Sequence, residues 1–183
     1  KCVGRATLTI EVEVMFFSTS VEISCERKFA GSGGDPSFAQ VMEPYMLNGD
    51  TVRHAVRMDG DYSGWPDGGV LTSANDAARW EEGLQSARIV PAAAQREMTT
   101  PTMLSTGRSS AYGLGWNIDK VRGRAIHYHG GSMPGFLAYY YRAPEQGVGV
   151  VALTNLGAGS AEIILRRTVQ EVAEQVAPGS TPL

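Results

Sequence analysis

Polar and apolar residues alternate strictly near the start of the chain. Across residues 5–17, RATLTIEVEVMFF, Leu8, Ile10, Val12, Val14 and Phe16 share one face and Thr7, Thr9, Glu11 and Glu13 the other. That period of two predicts a half-buried strand. STS turns the chain and VEISC returns as a second strand, so residues 1–35 read as a segment of their own, a β-hairpin closed off by the turn-rich GSGGDPS. FAQVMEPYML reads as a short helix broken at Pro44, because proline lacks the N–H that continues a helix. From Ser73 the period changes to that of a helix. Asp76 follows Ser73 by three residues, close to a capping box, and Ala77, Trp80 and Leu84 fall on one helical face. Pro91 opens a second short helix, PAAAQREM. Four strand candidates follow, YGLGWNI, RAIHYHG, GFLAYYYRA and GVGVVALTN, joined by short glycine-containing or charged connections as in an antiparallel meander. A last helix runs from Ser160 to Val176 with Leu165, Val169, Val172 and Val176 as its apolar stripe, and APGSTPL reads as a frayed tail. The expected fold class is α+β, an antiparallel sheet with the C-terminal helix packed on one face.

Composition narrows the function classes. The 183 residues are 43% hydrophobic and 19% charged, a globular balance with enough chain to bury a core. A formal net charge of -3 with no basic stripe argues against nucleic acid as a partner. No apolar run reaches membrane-spanning length. No signal-peptide pattern opens the chain, which begins at Lys1 and reads as a processed form or a fragment, so its compartment stays open. Cys2 and Cys25 read as two free thiols.

The densest chemistry lies in HYHGGSMPGF, residues 127–136. His127 and His129 are two apart on a strand and so project to one face. One reading is a zinc site, since such a pair supplies two ligands; no third ligand is evident, and His54 is the remaining histidine. A second reading uses the glycines. Gly130 and Gly131 leave a strand end bare enough for a substrate backbone to approach, a free N–H there faces a developing oxyanion, and His129 handles a proton. The plain alternative is a glycine-rich turn carrying a histidine bonded to a backbone carbonyl.

The order and spacing of GGVLTSANDAARWEEGL, MTTP, YGLGW, HGGSMPGF and GVGVVALTN resemble the serine β-lactamase-like hydrolases, in particular the branch holding class C β-lactamases, D-Ala-D-Ala carboxypeptidases and esterases. The resemblance covers residues 66–176 and implies that 36–183 is the C-terminal part of a β-lactamase/transpeptidase-like domain, here incomplete. It implies acyl transfer to water through an acyl-enzyme, on a small ester, amide or peptide, with no cofactor and no metal. His129-Gly130-Gly131 matches the family's His-x-Gly form of the third active-site motif. By that match His129 is the polar residue facing the cleft, Gly130 and Gly131 border the substrate, and the Ser132 N–H is one oxyanion donor. His127 is then structural. The sequence departs from the family in two places. None of Lys1, Lys28 and Lys120 completes a Ser-x-x-Lys motif, Cys25-Glu-Arg-Lys28 being the nearest imitation, and Tyr62 is followed by Ser63 and Gly64 where Tyr-x-Asn is expected. A non-catalytic binding or structural descendant of the family is the first alternative, and a metal-binding protein using His127 and His129 the second. Family members are often periplasmic or secreted.

Overall fold

In the computed structural model the described residues are 8–14, 17–23, 43–48, 51–55, 70, 72–157 and 159–182. Strands β1 (Leu8–Val14) and β2 (Phe17–Ile23) pair antiparallel, Leu8 opposite Ile23 and Val14 opposite Phe17. Strands β3 (Tyr45–Asn48) and β4 (Thr51–His54) form a second antiparallel pair. Helices α1 (Ala74–Gln85) and α2 (Ala92–Met98) follow. The second half supplies β5 (Asn117–Val121), β6 (Arg124–Met133), β7 (Phe136–Ala143) and β8 (Val148–Thr154), then the short β9 (Leu156–Gly157) and helix α3 (Gly159–Val176). Strands β5 to β8 make one antiparallel sheet in sequence order. β1 runs beside β8 and α1.

The fold class is the expected one, an antiparallel sheet with α3 across one face. Alternation sends Ile126, Tyr139, Tyr141, Ala143, Val148, Val150 and Ala152 to that face, where they meet Val169, Ala173 and Ala177. Burying each large side chain contributes on the order of 1.5–3 kcal/mol. The opposite face is also covered, by α1. This explains why GVGVVALTN is apolar almost throughout: a strand hidden on both faces has no solvent side to mark with polar residues.

The contact between α1 and the sheet is polar. Glu81 is buried between Ala77 and Leu84, and Trp80, expected inside, is 43% exposed. The Glu81 carboxylate accepts from Arg142 Nε at 2.7 Å and from Gln85 Nε2 at 2.9 Å, and also from the Tyr140 hydroxyl. The Arg142 guanidinium lies 5.5 Å from the centre of the Trp116 ring. Burial, then the neighbouring Glu81 charge, pushes the Tyr140 phenol far above its ordinary range. Gly149 makes room for this cluster, since a Cβ there would stand 2.6 Å from the Glu81 side chain.

Four local expectations are corrected, the first being the hairpin turn: STS is strand and not turn, since it lies inside β2 with Ser18 paired to Glu13. Tyr45–Asn48 is a strand and not part of a helix: Pro44 starts it, and Tyr45 N donates to Asn155 O at 2.9 Å, so β3 pairs in parallel with β9. Residues 38–42 of the expected helix lie outside the described residues. YGLGWNI is a strand only from Asn117, because Gly115 has a φ of +82° and turns the chain. The tail is not frayed. Ser180 and Thr181 are buried, the Tyr141 hydroxyl donates to Ser180 O, and Ser180 Oγ donates to Ala173 O at 3.0 Å. Glu174 accepts from Gly179 N at 2.7 Å and from Thr181 N and Oγ1 at 3.1 and 3.0 Å. The Gly179 N–H foremost holds the Glu174 carboxyl below its usual range. The last turn of α3 is thus closed by its own following residues, a bond set between main chain and a single carboxylate that periodicity does not encode. The capping expectation holds, with Asp76 N donating to Ser73 Oγ at 3.1 Å.

Two stability outcomes follow from these contacts. Removing one member of a buried ion pair strands the other, so Glu81→Ala and Arg142→Ala each lose roughly 3–5 kcal/mol. The double variant loses clearly less than the two losses added, as read by urea denaturation. Thr181→Val, which removes one hydroxyl donor from Glu174, costs about 1 kcal/mol by the same measurement.

Candidate active site

Strand β6 is longer than the partner on one of its sides. The β5 ladder ends where Asn117 opposes Tyr128, whereas β7 pairs with β6 up to Met133 opposite Phe136. Among the described residues, 129–133 are therefore laddered on the β7 side only. Asn117 Nδ2 donates to Tyr128 O at 3.2 Å, which puts the Tyr128 carbonyl on the β5 side. Backbone groups alternate sides along a strand, so Gly130 and Ser132 aim N–H and C=O at the edge β5 leaves open. His129 uses one of these groups, its Nδ1 lying 2.6 Å from Gly130 O.

The two histidines share a face and have opposite surroundings. His127 is 7% exposed, sits opposite Arg142 across the β6–β7 ladder, and lies 6.4 Å from the Trp116 ring centre. Among the described residues its Nδ1 has no hydrogen-bond partner. Burial, assisted by the Arg142 charge and opposed by Glu81, lowers its pKa from 6.5 to about 4. The ring is neutral at neutral pH. His129, two residues on, is exposed; its Nε2 lies 2.9 Å from the Tyr112 hydroxyl and the two rings meet edge to face at 5.9 Å.

Gly131 and Ser132 are exposed and Gly130 is half-buried. Neither glycine is demanded by the chain's own packing. A Cβ at Gly131 would meet only the Ala138 methyl, at 3.5 Å, and one at Gly130 would approach nothing closer than Tyr139 at 3.6 Å. Gly131 leaves the His129 face of the strand flat, and Gly130 does the same on the opposite face. His129, Gly130, Gly131 and Ser132 are thus contiguous along the edge that no described strand covers, while His127 belongs to the buried cluster next along the same face. His54 is elsewhere, exposed on β4 with its ring 4.6 Å from Tyr45. Among the described residues no three His, Cys, Asp or Glu side chains gather as a metal set. Cys25, Lys28 and Tyr62 lie outside the described residues.

Two contributors were not legible beforehand. Tyr112 sat inside an expected strand, and nothing in YGLGW marks its side chain as a partner of His129. Glu81 carried a readable signal, its place between Ala77 and Leu84, which the apolar character of Trp80 obscured.

The family model described as Beta-lactamase matches residues 31–174. A D-aminopeptidase of Brucella anthropi is 25% identical over 155 residues, which is 81% of this chain and 29% of the relative. A second, from Brucella anthropi strain ATCC 49188, is 23% identical over 151 residues, 80% of this chain and 29% of the relative. A D-aminopeptidase of Gluconobacter oxydans is 29% identical over 89 residues, 49% of this chain and 17% of the relative. The chain therefore spans less than a third of the length of these relatives. No helix among the described residues is long and apolar enough to cross a membrane.

The buried imidazole has a measurable consequence. Its folded pKa of about 4 lies below the 6.5 of an unfolded chain, so the unfolded state takes up the proton first. The stability of neutral His127 is fully present above pH 6.5 and is lost as pH falls toward 4, by an amount on the order of 1–3 kcal/mol. Denaturation of the wild type and of His127→Leu across that range checks this. The stability difference between the two proteins shifts in favour of the variant as the pH drops.

Proposed function

Because the chain belongs to the Beta-lactamase family, we propose that it carries the strand side of the active site of an amide, peptide or ester hydrolase that works through an acyl-enzyme. The observation that carries the reading is the edge of β6 that no described strand covers beyond Tyr128, with Ser132 on it beside the exposed His129. In this reading an acyl group lies along Gly130 and Gly131. The Ser132 N–H is an oxyanion donor, a role typically worth 10²–10³-fold in rate, and His129 holds or accepts a proton at the reacting group. His127 supports the strand from the buried cluster next along the same face. The substrate class is an amide or short peptide, and the relatives' name, D-aminopeptidase, makes amides of D-amino acids the first to try.

The sequence contains neither Ser-x-x-Lys at its lysines nor Tyr-x-Asn at Tyr62. A serine nucleophile with an adjacent base supplies the covalent route, and this chain by itself lacks that pair. The second reading is a binding descendant of the family that keeps the edge without the chemistry.

Two measurements test these readings. In nuclear magnetic resonance titrations with D-alaninamide, the Ser132 amide and the His129 ring shift together while His54 stays still; unmoved Ser132 and His129 signals would remove the site from both. In assays of D-alanine p-nitroanilide, short-chain p-nitrophenyl esters and a chromogenic cephalosporin, the 183-residue chain turns over at background. Orientation of the acyl group carries much of the barrier reduction, and one N–H with one imidazole does not provide it. Turnover well above buffer that disappears in His129→Ala would show that the chain holds a nucleophile of its own. Loss on Cys25→Ser would identify it.

A further inference from the structure

We propose that Tyr112 is a positioning residue for His129, holding the ring in the tautomer that the Gly130 carbonyl selects and occupying its acceptor nitrogen. The inference rests on reading His129 as the polar group of the site. Gly130 O has no proton to give, so His129 Nδ1, 2.6 Å away, must be the donor. In the neutral ring Nε2 is then an acceptor, and the Tyr112 hydroxyl at 2.9 Å is the group that donates to it. The imidazole is tied at both nitrogens, one bond coming from its own strand and one from outside it.

The outside bond is built with care by the backbone. Tyr112 O accepts from Thr102 N at 2.9 Å and from Ser110 Oγ at 2.9 Å, and Ile118 N donates to Ala111 O at 2.8 Å. The next residue closes a tight return, Gly113 N donating to Trp116 O at 2.9 Å while Leu114 N donates to Met98 O at 2.9 Å. A Cβ on Gly113 would sit 2.1 Å from Met98 O, so only glycine passes between α2 and this loop. Tyr112 is thereby delivered to His129 from a main chain fixed by α2 and by the start of β5, while its ring stays 39% exposed. A phenol needed only to fill space would be inside. This one is outside, with its polar end on an imidazole nitrogen.

The arrangement gives the resting site a direction. The proton of His129 points back at its own strand and its lone pair points toward the phenol. A ligand group that displaces the Tyr112 hydroxyl meets an aligned acceptor and must itself bring an N–H or O–H. Tyr112 thus holds the ring in the orientation in which it can take a proton, and fills the acceptor until a ligand does.

The test reads the imidazole and needs no turnover, so it fails or succeeds independently of the hydrolase assays. Nitrogen-15 spectra of the ligand-free wild-type chain should show His129 protonated at Nδ1 with Nε2 as a hydrogen-bonded acceptor. A ring protonated at Nε2 would overturn the proposal without recourse to any variant. Tyr112→Phe keeps the ring and deletes the hydroxyl. Diethyl pyrocarbonate acylates a free imidazole lone pair, and peptide mass spectrometry gives the rate at His129 relative to exposed His54 in the same sample. That ratio should rise about fivefold in Tyr112→Phe, the factor one ordinary net hydrogen bond supports. An unchanged ratio, with an unchanged thermal melt, would mean that Tyr112 merely packs against the histidine.

Discussion

Strand β6 is bonded on two sides for half of its length and on one side for the rest, and the candidate site is a product of that mismatch. Where β5 runs alongside, from Arg124 to Tyr128, main-chain groups on both edges are spent on the ladder. Beyond Tyr128 only β7 remains. Unpaired N–H and C=O groups on a strand edge are ordinarily a liability, because they invite another chain. Here, among the described residues, they are confined to a short stretch in which two residues are glycine.

The sheet that holds this edge in place is held by unlike layers. Toward α3 the contact is apolar, built on Tyr141, Val150, Val169 and Ala173. Toward α1 it is a buried carboxylate and guanidinium with Tyr140, Trp116 and His127 around them. Desolvating such a pair is costly, and an apolar substitute of equal volume would often be as stable. Hydrogen bonds do differ from apolar contacts in demanding one geometry. Glu81 is bonded by a neighbour on its own helix, Gln85, and by two side chains of β7. The register of α1 on the sheet is therefore set by directional bonds, and His127 is kept neutral within the same cluster. The polar layer adjoins His129 on the same face of the sheet, with Tyr140 directly opposite it across the ladder.

Much of this was open to a reader of the sequence. The alternation in GFLAYYYRA and GVGVVALTN marks strands whatever surrounds them, and Ser73 with Asp76 marks a helix start, because both signals are local. The order of the short motifs pointed to the family, and His129, Gly130, Gly131 and Ser132 fall on one stretch of strand because period two requires it. Two of the errors share a cause. Tyr45–Asn48 became a strand because Asn155 and β9, more than a hundred residues on, offered it a partner. The tail became ordered because Glu174 and Tyr141 happened to face it.

What the sequence by itself determined was every feature that depends on neighbours in the chain: the strand periods, the helix cap, the glycine-rich end of β6 and which side of that strand each residue faces. Tertiary structure alone decided what those faces meet. It buried His127 and left His129 in the open, although the two have the same spacing and the same residue type. It stopped β5 at Tyr128, so that no described strand covers the edge at Ser132. It brought Tyr112 across from a loop seventeen residues earlier. The physical reason is that burial, ladder length and a hydrogen bond between distant side chains are properties of pairs of elements. A pattern written along one element carries no term for its partner.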